Sequence, residues 1–224
     1  MEINCLFRKM RVGLIVGISG YIGRSLMESL LSNRHYKKVV VLTRRENRRL
    51  RNMHLKKVNV DFAAIENYSE EFNDVNDVYC LLGTDYINTL NLEDSSMFEY
   101  EYPLSIAKVA KKQGVKSFFL INPSKASVTS NVEKFKLRAK LAAEIKQLGF
   151  ENFYVFNVNK IGKSVNLSSG LFVMNKSIGN VVNIIGFGLL DKIKSTPANL
   201  LANKMVEVAI SNPLEKKEFH TKDY

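Results

Sequence analysis

Three glycines at intervals of three residues, Gly17-x-x-Gly20-x-x-Gly23, close an apolar run that starts at Val12, and a helical pattern opens at once on Ile22, Leu26 and Leu30. A buried strand that turns this sharply into a helix makes an anion site. The first-turn N–H groups have no acceptor inside the helix, and the positive end of the helix dipole points the same way. Each glycine has its own use: Gly17 for the tight turn, Gly20 for close approach of a pyrophosphate, Gly23 for packing helix on strand. The spacing excludes a phosphate-loop nucleotidase. Five residues rather than four separate Gly17 from Gly23, and Arg24 stands where that loop needs a lysine.

Downstream, apolar runs alternate with helical patterns. The first helix is expected over 20–33, and residues 38–43 read as a second buried strand that ends in Thr43-Arg44-Arg45. In a dinucleotide fold the end of this strand meets the adenosine ribose, where a carboxylate suits a 2′-hydroxyl and an arginine fork suits a 2′-phosphate. At the end of this strand no acidic residue comes before Glu46, so Arg44 and Arg45 favour NADP(H) over NAD(H). The plain alternative is a solvated charge run. Residues 56–62 offer a third strand closing on Asp61, 64–71 a short helix, and 77–84 a fourth strand ending in a Gly83-Thr84 turn.

A helix over 93–113 is broken near Tyr102 by Pro103 and capped by Gly114. The fifth strand, 115–121, leaves Asn122, Pro123, Ser124 and Lys125 at its carboxyl end. A helix over 131–148 places Val132, Phe135, Ala139, Ala142 and Ile145 on one face, and a sixth strand follows at 153–158. Pro197 opens a late amphipathic helix that Pro213 ends, and Phe219 falls in a last short strand. This order predicts an α/β fold, a doubly wound, mostly parallel, Rossmann-like sheet in a single domain over 12–224. Right-handed crossovers then bring the glycine turn, Arg44, Asp61, Gly83 and Asn122 to one crevice at the strand ends.

Composition narrows the partners. No window reaches the roughly 18–20 apolar residues of a membrane span. Residues 1–11 read as a loose leader without the apolar core of a signal peptide, which points to a cytoplasmic location. Cys5 and Cys80 have no C-x-x-C spacing, and His35, His54 and His220 are isolated, so no metal site is expected. The net charge of +11 is scattered apart from Arg44 to Arg51, which disfavours nucleic acid as the main ligand. The stretch 159–195 is glycine-containing and loosely patterned, and marks the substrate side.

These segments together resemble an atypical short-chain dehydrogenase, and more narrowly the family of the Tat-interacting oxidoreductase and its microbial relatives. The resemblance runs from about Val12 to Pro213. It is carried by Val16–Gly23, Leu42-Thr43-Arg44-Arg45, Val60-Asp61-Phe62, Cys80-Leu81-Leu82-Gly83-Thr84 and Ser124-Lys125. It implies that the backbone of Ser19, Tyr21 and Ile22 holds a pyrophosphate, and that Arg44 and Arg45 hold the 2′-phosphate. Asp61 with Phe62 would hold the adenine, and Leu82, Gly83 and Thr84 would line the nicotinamide ribose.

The family's catalytic Tyr-x-x-x-Lys pair falls on Lys134 and Arg138, and no tyrosine in the chain has a lysine four residues later. Ser124 aligns with the family's active-site serine, and Arg138 is placed to bind ribose hydroxyls or phosphate. Two functions follow. One is an NADP(H)-dependent oxidoreductase that reduces a carbonyl or quinone, with proton delivery through water, Lys134 or Ser124. The other is an NADP(H)-binding sensor that presents its surface to a protein partner without turnover.

Overall fold

A computed structural model describes residues 10–44, 52–83, 96–159, 161–163, 196–215 and 217–223. Arg45 and Thr84, residues 1–9 of the leader and nearly all of 159–195 lie outside the described residues. Strands β1 (Arg11–Val16), β2 (Tyr36–Thr43), β3 (Leu55–Asn59), β4 (Asp77–Cys80), β5 (Ser117–Pro123) and β6 (Asn152–Val158) are joined by a late strand, β9 (Glu218–His220). They form one seven-stranded sheet in the order β3-β2-β1-β4-β5-β6-β9, with every pair parallel. A separate two-residue pair joins β7 (Ile161–Gly162) to β8 (Thr196–Pro197).

Helices cover both faces, so the strands read as continuous apolar runs rather than alternating ones. On one face α1 (Tyr21–Leu31) lies beside α4 (Ala198–Ser211), burying Ile22, Leu26, Leu30, Leu201 and Met205 against Ile15, Val41 and Phe119. On the other lie the 3-10 segment Phe62–Phe72, α2 (Tyr102–Lys112) and α3 (Glu133–Gln147), over Leu14, Val40, Val78 and Phe118. The winding reverses between β1 and β4, where this architecture places ligands.

Several expected boundaries move, each for a local reason. The third strand stops at Asn59 rather than at Asp61, because the Asp61 carboxylate accepts the Ala63 N–H at 3.0 Å and opens the 3-10 segment. The fourth strand stops at Cys80, and Leu82–Gly83 turns away from the sheet. The helix around Pro103 enters through a π turn, Met97–Glu101, before α2 begins.

The expected apolar face of α3 is displaced. Val132 is exposed, whereas Arg138, Leu141 and Ile145 are the buried positions, with Lys134 one turn earlier on the same stripe. A charged residue has taken the core-facing position, which an apolar pattern alone does not select.

At the opposite edge of the sheet, the amino ends of the strands carry a buried polar cluster. Arg11 donates from Nε to Asp77 at 2.6 Å and from Nη2 to the other oxygen of the same carboxylate, and Asp77 is fully buried. The Tyr36 hydroxyl donates to Asp77 at 2.8 Å and meets the Tyr79 hydroxyl at 2.9 Å. Burial first, and then the charge of Asp77, push the Tyr36 phenol well above its usual range. Burial first, and then Tyr36, do the same to Tyr79.

Burial also pushes Tyr154 up to about 12 from 10.0. An acid whose native pKa is raised leaves stability intact below its unfolded pKa and loses it as pH climbs through the native value. The urea midpoint is therefore expected to hold from neutral pH to about 10 and then to fall steeply toward about 12. Denaturation curves across that range check it, and a flat midpoint contradicts the buried phenols.

Candidate functional site

The glycine turn is built by close approach. Gly17 has φ +87°, a region that L side chains rarely adopt, and its N–H donates to the Leu42 carbonyl at 3.2 Å. A Cβ at Gly17 would lie 3.2 Å from Leu82 Cδ2, so the turn leans against the end of β4. A Cβ at Gly23 would sit 2.5 Å from Ile18 Cα and 2.7 Å from the Gly17 carbonyl oxygen, both backbone atoms. Gly20 is the N-cap of α1 and offers no side-chain cap to the first turn. Ser19 and Tyr21 are exposed, while Ile22 is buried, so Ile22 presents backbone alone to a ligand.

The neighbouring strand ends are stitched to this turn. The Leu81 N–H donates to Val16 at 3.0 Å and the Val60 N–H to Thr43 at 2.9 Å. Arg44, one residue past β2, is exposed, and its guanidinium carbon lies 4.2 Å from the centroid of the Phe98 ring. Asp61 is exposed, past the end of β3, where it caps the 3-10 segment. Phe62 is 3 % exposed with its ring in the core, 6.1 Å from that of Tyr102. The expectation that Phe62 faces a ligand therefore narrows to its backbone.

At the ends of β4 and β5 the structure places a charge cluster that the sequence did not foretell. Arg138 is fully buried. Its Nη1 donates to the Leu82 carbonyl at 3.2 Å and to the Glu99 carbonyl at 3.3 Å, Nη2 donates to the Ile121 carbonyl, and Nε donates to Asn122 Oδ1 at 3.4 Å. Glu99, 1 % exposed, sets Oε2 3.7 Å from Arg138 Nε and Oε1 3.0 Å from Lys134 Nζ.

Arg138 is thus a staple between the ends of two strands. The expectation that it reaches ribose hydroxyls or phosphate meets a guanidinium that is fully buried and whose Nε, Nη1 and Nη2 each donate to protein oxygens. Asn122, 5 % exposed, is held by Arg138 and faces Asn157 Oδ1 at 3.5 Å. Ser124 is exposed and donates to Asn159 Oδ1.

Pro103 was the signal that could have found Glu99. With no N–H, Pro103 cannot close the bond to the carbonyl four residues back, and that carbonyl, on Glu99, accepts from Arg138. An arginine on the buried stripe of α3 was the other signal, because a buried cation requires a partner.

The nicotinamide dinucleotide implied by the fold has a fitting seat. The Gly17 and Gly23 cradle is closed to any side chain and stands at the carboxyl ends of the strands, where the first turn of α1 begins. Among the described residues, no helix is long and apolar enough to cross a membrane.

Comparison with known proteins agrees with this architecture. Residues 13–135 match the NAD dependent epimerase/dehydratase family. The rat (Rattus norvegicus) protein HTATIP2 is 26 % identical over 146 residues, covering 63 % of this chain and 59 % of that protein. The mitochondrial protein fmp52 of Emericella nidulans is 22 % identical over 142 residues, 61 % of each. This chain therefore spans about three fifths of the length of these relatives. Among solved structures, the Bordetella bronchiseptica enzyme WbmH in complex with NAD+ superposes with a TM-score of 0.65 at 17 % identity, covering 94 % of this chain and 75 % of that one. That likeness shows the fold.

Proposed function

The chain belongs to the NAD dependent epimerase/dehydratase family, and from that premise we propose that it binds NADP(H) as an oxidoreductase-like protein of the atypical short-chain dehydrogenase type. One observation carries this: the turn at Gly17–Gly23, whose close approaches at Gly17 and Gly23 leave no room for a Cβ, opens α1 at the carboxyl edge of the sheet, beside the strand end that bears Arg44. The first-turn N–H groups around Ser19, Tyr21 and Ile22 hold the diphosphate, and Arg44 with Arg45 holds the 2′-phosphate. Asp61 and the Phe62 backbone receive the adenine. Leu82, Gly83, Thr84 and Asn122 form the nicotinamide side. When bound, the nicotinamide supplies a hydride, here toward a carbonyl or quinone.

A second function, dinucleotide binding without turnover in service of a protein partner, is favoured by a different observation. The positions matching the family's tyrosine and lysine hold Lys134 and Arg138, and both point their charge at buried Glu99. Neither then offers a phenol to protonate an oxyanion, which leaves Ser124 or water for that task.

Calorimetry with NADPH and NADH separates these proposals from no binding at all. NADPH is expected to bind more tightly by about tenfold or more, and Arg44→Ala to erase most of that margin. Indifference to both coenzymes sinks the proposal. NADPH oxidation against a panel of aldehydes, ketones and quinones then divides the two functions: turnover on any of them supports the first, and tight binding with none supports the second.

A further inference from the structure

We propose that Phe98 is a specificity-determining residue: lying under the Arg44 guanidinium, it holds that arginine ready for the 2′-phosphate and so sets the preference between NADP(H) and NAD(H). This rests on the NADP(H) assignment above and adds a residue from a distant element to it. Arg44 follows β2, whereas Phe98 lies 54 positions later in the π turn before α2, and the fold brings them to 4.2 Å.

Phe98 is itself fixed. It is 8 % exposed and sits edge-on to Tyr102, with ring centroids 5.0 Å apart at 83°, and Tyr102 in turn neighbours Phe62 at the adenine end. The contact uses the ring face, while the N–H donors of a guanidinium lie in its own plane. The ring therefore restrains Arg44 without consuming the donors that a phosphate needs. A long side chain at a strand end otherwise loses its rotamer freedom when the anion arrives, and preorganisation removes that cost. NAD(H) carries no 2′-phosphate and draws no benefit.

The test is the ratio of NADH to NADPH dissociation constants, measured by calorimetry on the full chain. Phe98→Leu is expected to lower that ratio about threefold to tenfold while shifting NADH affinity less than about twofold. Phe98→Tyr, which keeps the ring face, is expected to retain the wild-type ratio. A melting curve of each variant reports folding separately. The inference is overturned if Phe98→Leu leaves the ratio intact while Arg44→Ala collapses it, an outcome that spares the proposed function. It is also overturned if both coenzymes weaken equally, which makes Phe98 a general seat for the adenosine. A wild-type chain without preference for NADPH overturns this inference and the NADP(H) assignment together.

Discussion

Arg138→Ala is expected to lower the unfolding free energy by about 3–5 kcal/mol, the usual cost of removing one partner from a buried ion pair. The guanidinium is fully enclosed and serves the Leu82, Glu99 and Ile121 carbonyls, Asn122 and the Glu99 carboxylate at once. Its loss strips donors from three carbonyls and leaves Glu99, 1 % exposed, with less positive charge around it. No alanine fills the volume, so a cavity adds to the penalty. Urea denaturation measures the difference, and for a chain of this size the melting temperature is expected to fall by roughly 10 °C.

Two companions make the cause visible. Arg138→Lys keeps the charge but cannot fork to several carbonyls, so it is expected to recover only part of the loss. Glu99→Met combined with Arg138→Met removes both charges and is expected to be more stable than Arg138→Ala, as apolar replacements of buried pairs often are. If Arg138→Ala unfolds within about 1 kcal/mol of wild type, the staple is not what holds the ends of β4 and β5.

Gly23→Ala is expected to weaken NADPH and NADH alike by about tenfold or more, because both carry the same diphosphate. The added Cβ would stand 2.5 Å from Ile18 Cα and 2.7 Å from the Gly17 carbonyl oxygen. Neither is the flexible tip of a side chain, so the first turn of α1 must move away from the turn that precedes it. Overpacking of this kind costs about 1–3 kcal/mol of stability, and it displaces the N–H groups proposed to hold the diphosphate. Calorimetry with both coenzymes and one denaturation curve check it. Unchanged binding of both removes the glycine turn from the cofactor site. The pattern also separates this substitution from Arg44→Ala and Phe98→Leu, which are expected to change the ratio of the two affinities and leave NADH nearly alone.

The elements that were legible in the chain are those dictated by local pattern. Short β-branched runs such as Val39-Val40-Val41 become central parallel strands, because both of their faces are buried. Gly17-x-x-Gly20-x-x-Gly23 requires a strand to turn into a helix, and the end of β2 requires Arg44 to follow it. Pro197 and Pro213 bracket α4, whose described bounds are Ala198–Ser211. The buried stripe of α3 departs from the apolar pattern, with Val132 outside and Arg138 inside, because hydrophobicity alone ranks valine inside and arginine outside.

The sequence by itself determined the parallel α/β order, the glycine turn and the strand ends that share one edge, because these follow from periodicity, backbone sterics and the hand of the crossovers. Tertiary structure alone decided what the charges do. Arg138 became a buried staple rather than a ligand-facing group because Gly83 leaves room for it: a Cβ there would lie 2.5 Å from its Nη1. Glu99 met Lys134 and Arg138, and Phe98 met Arg44, across separations of 35 to 54 residues. Such meetings depend on how helices settle on a sheet, and no local pattern encodes that packing.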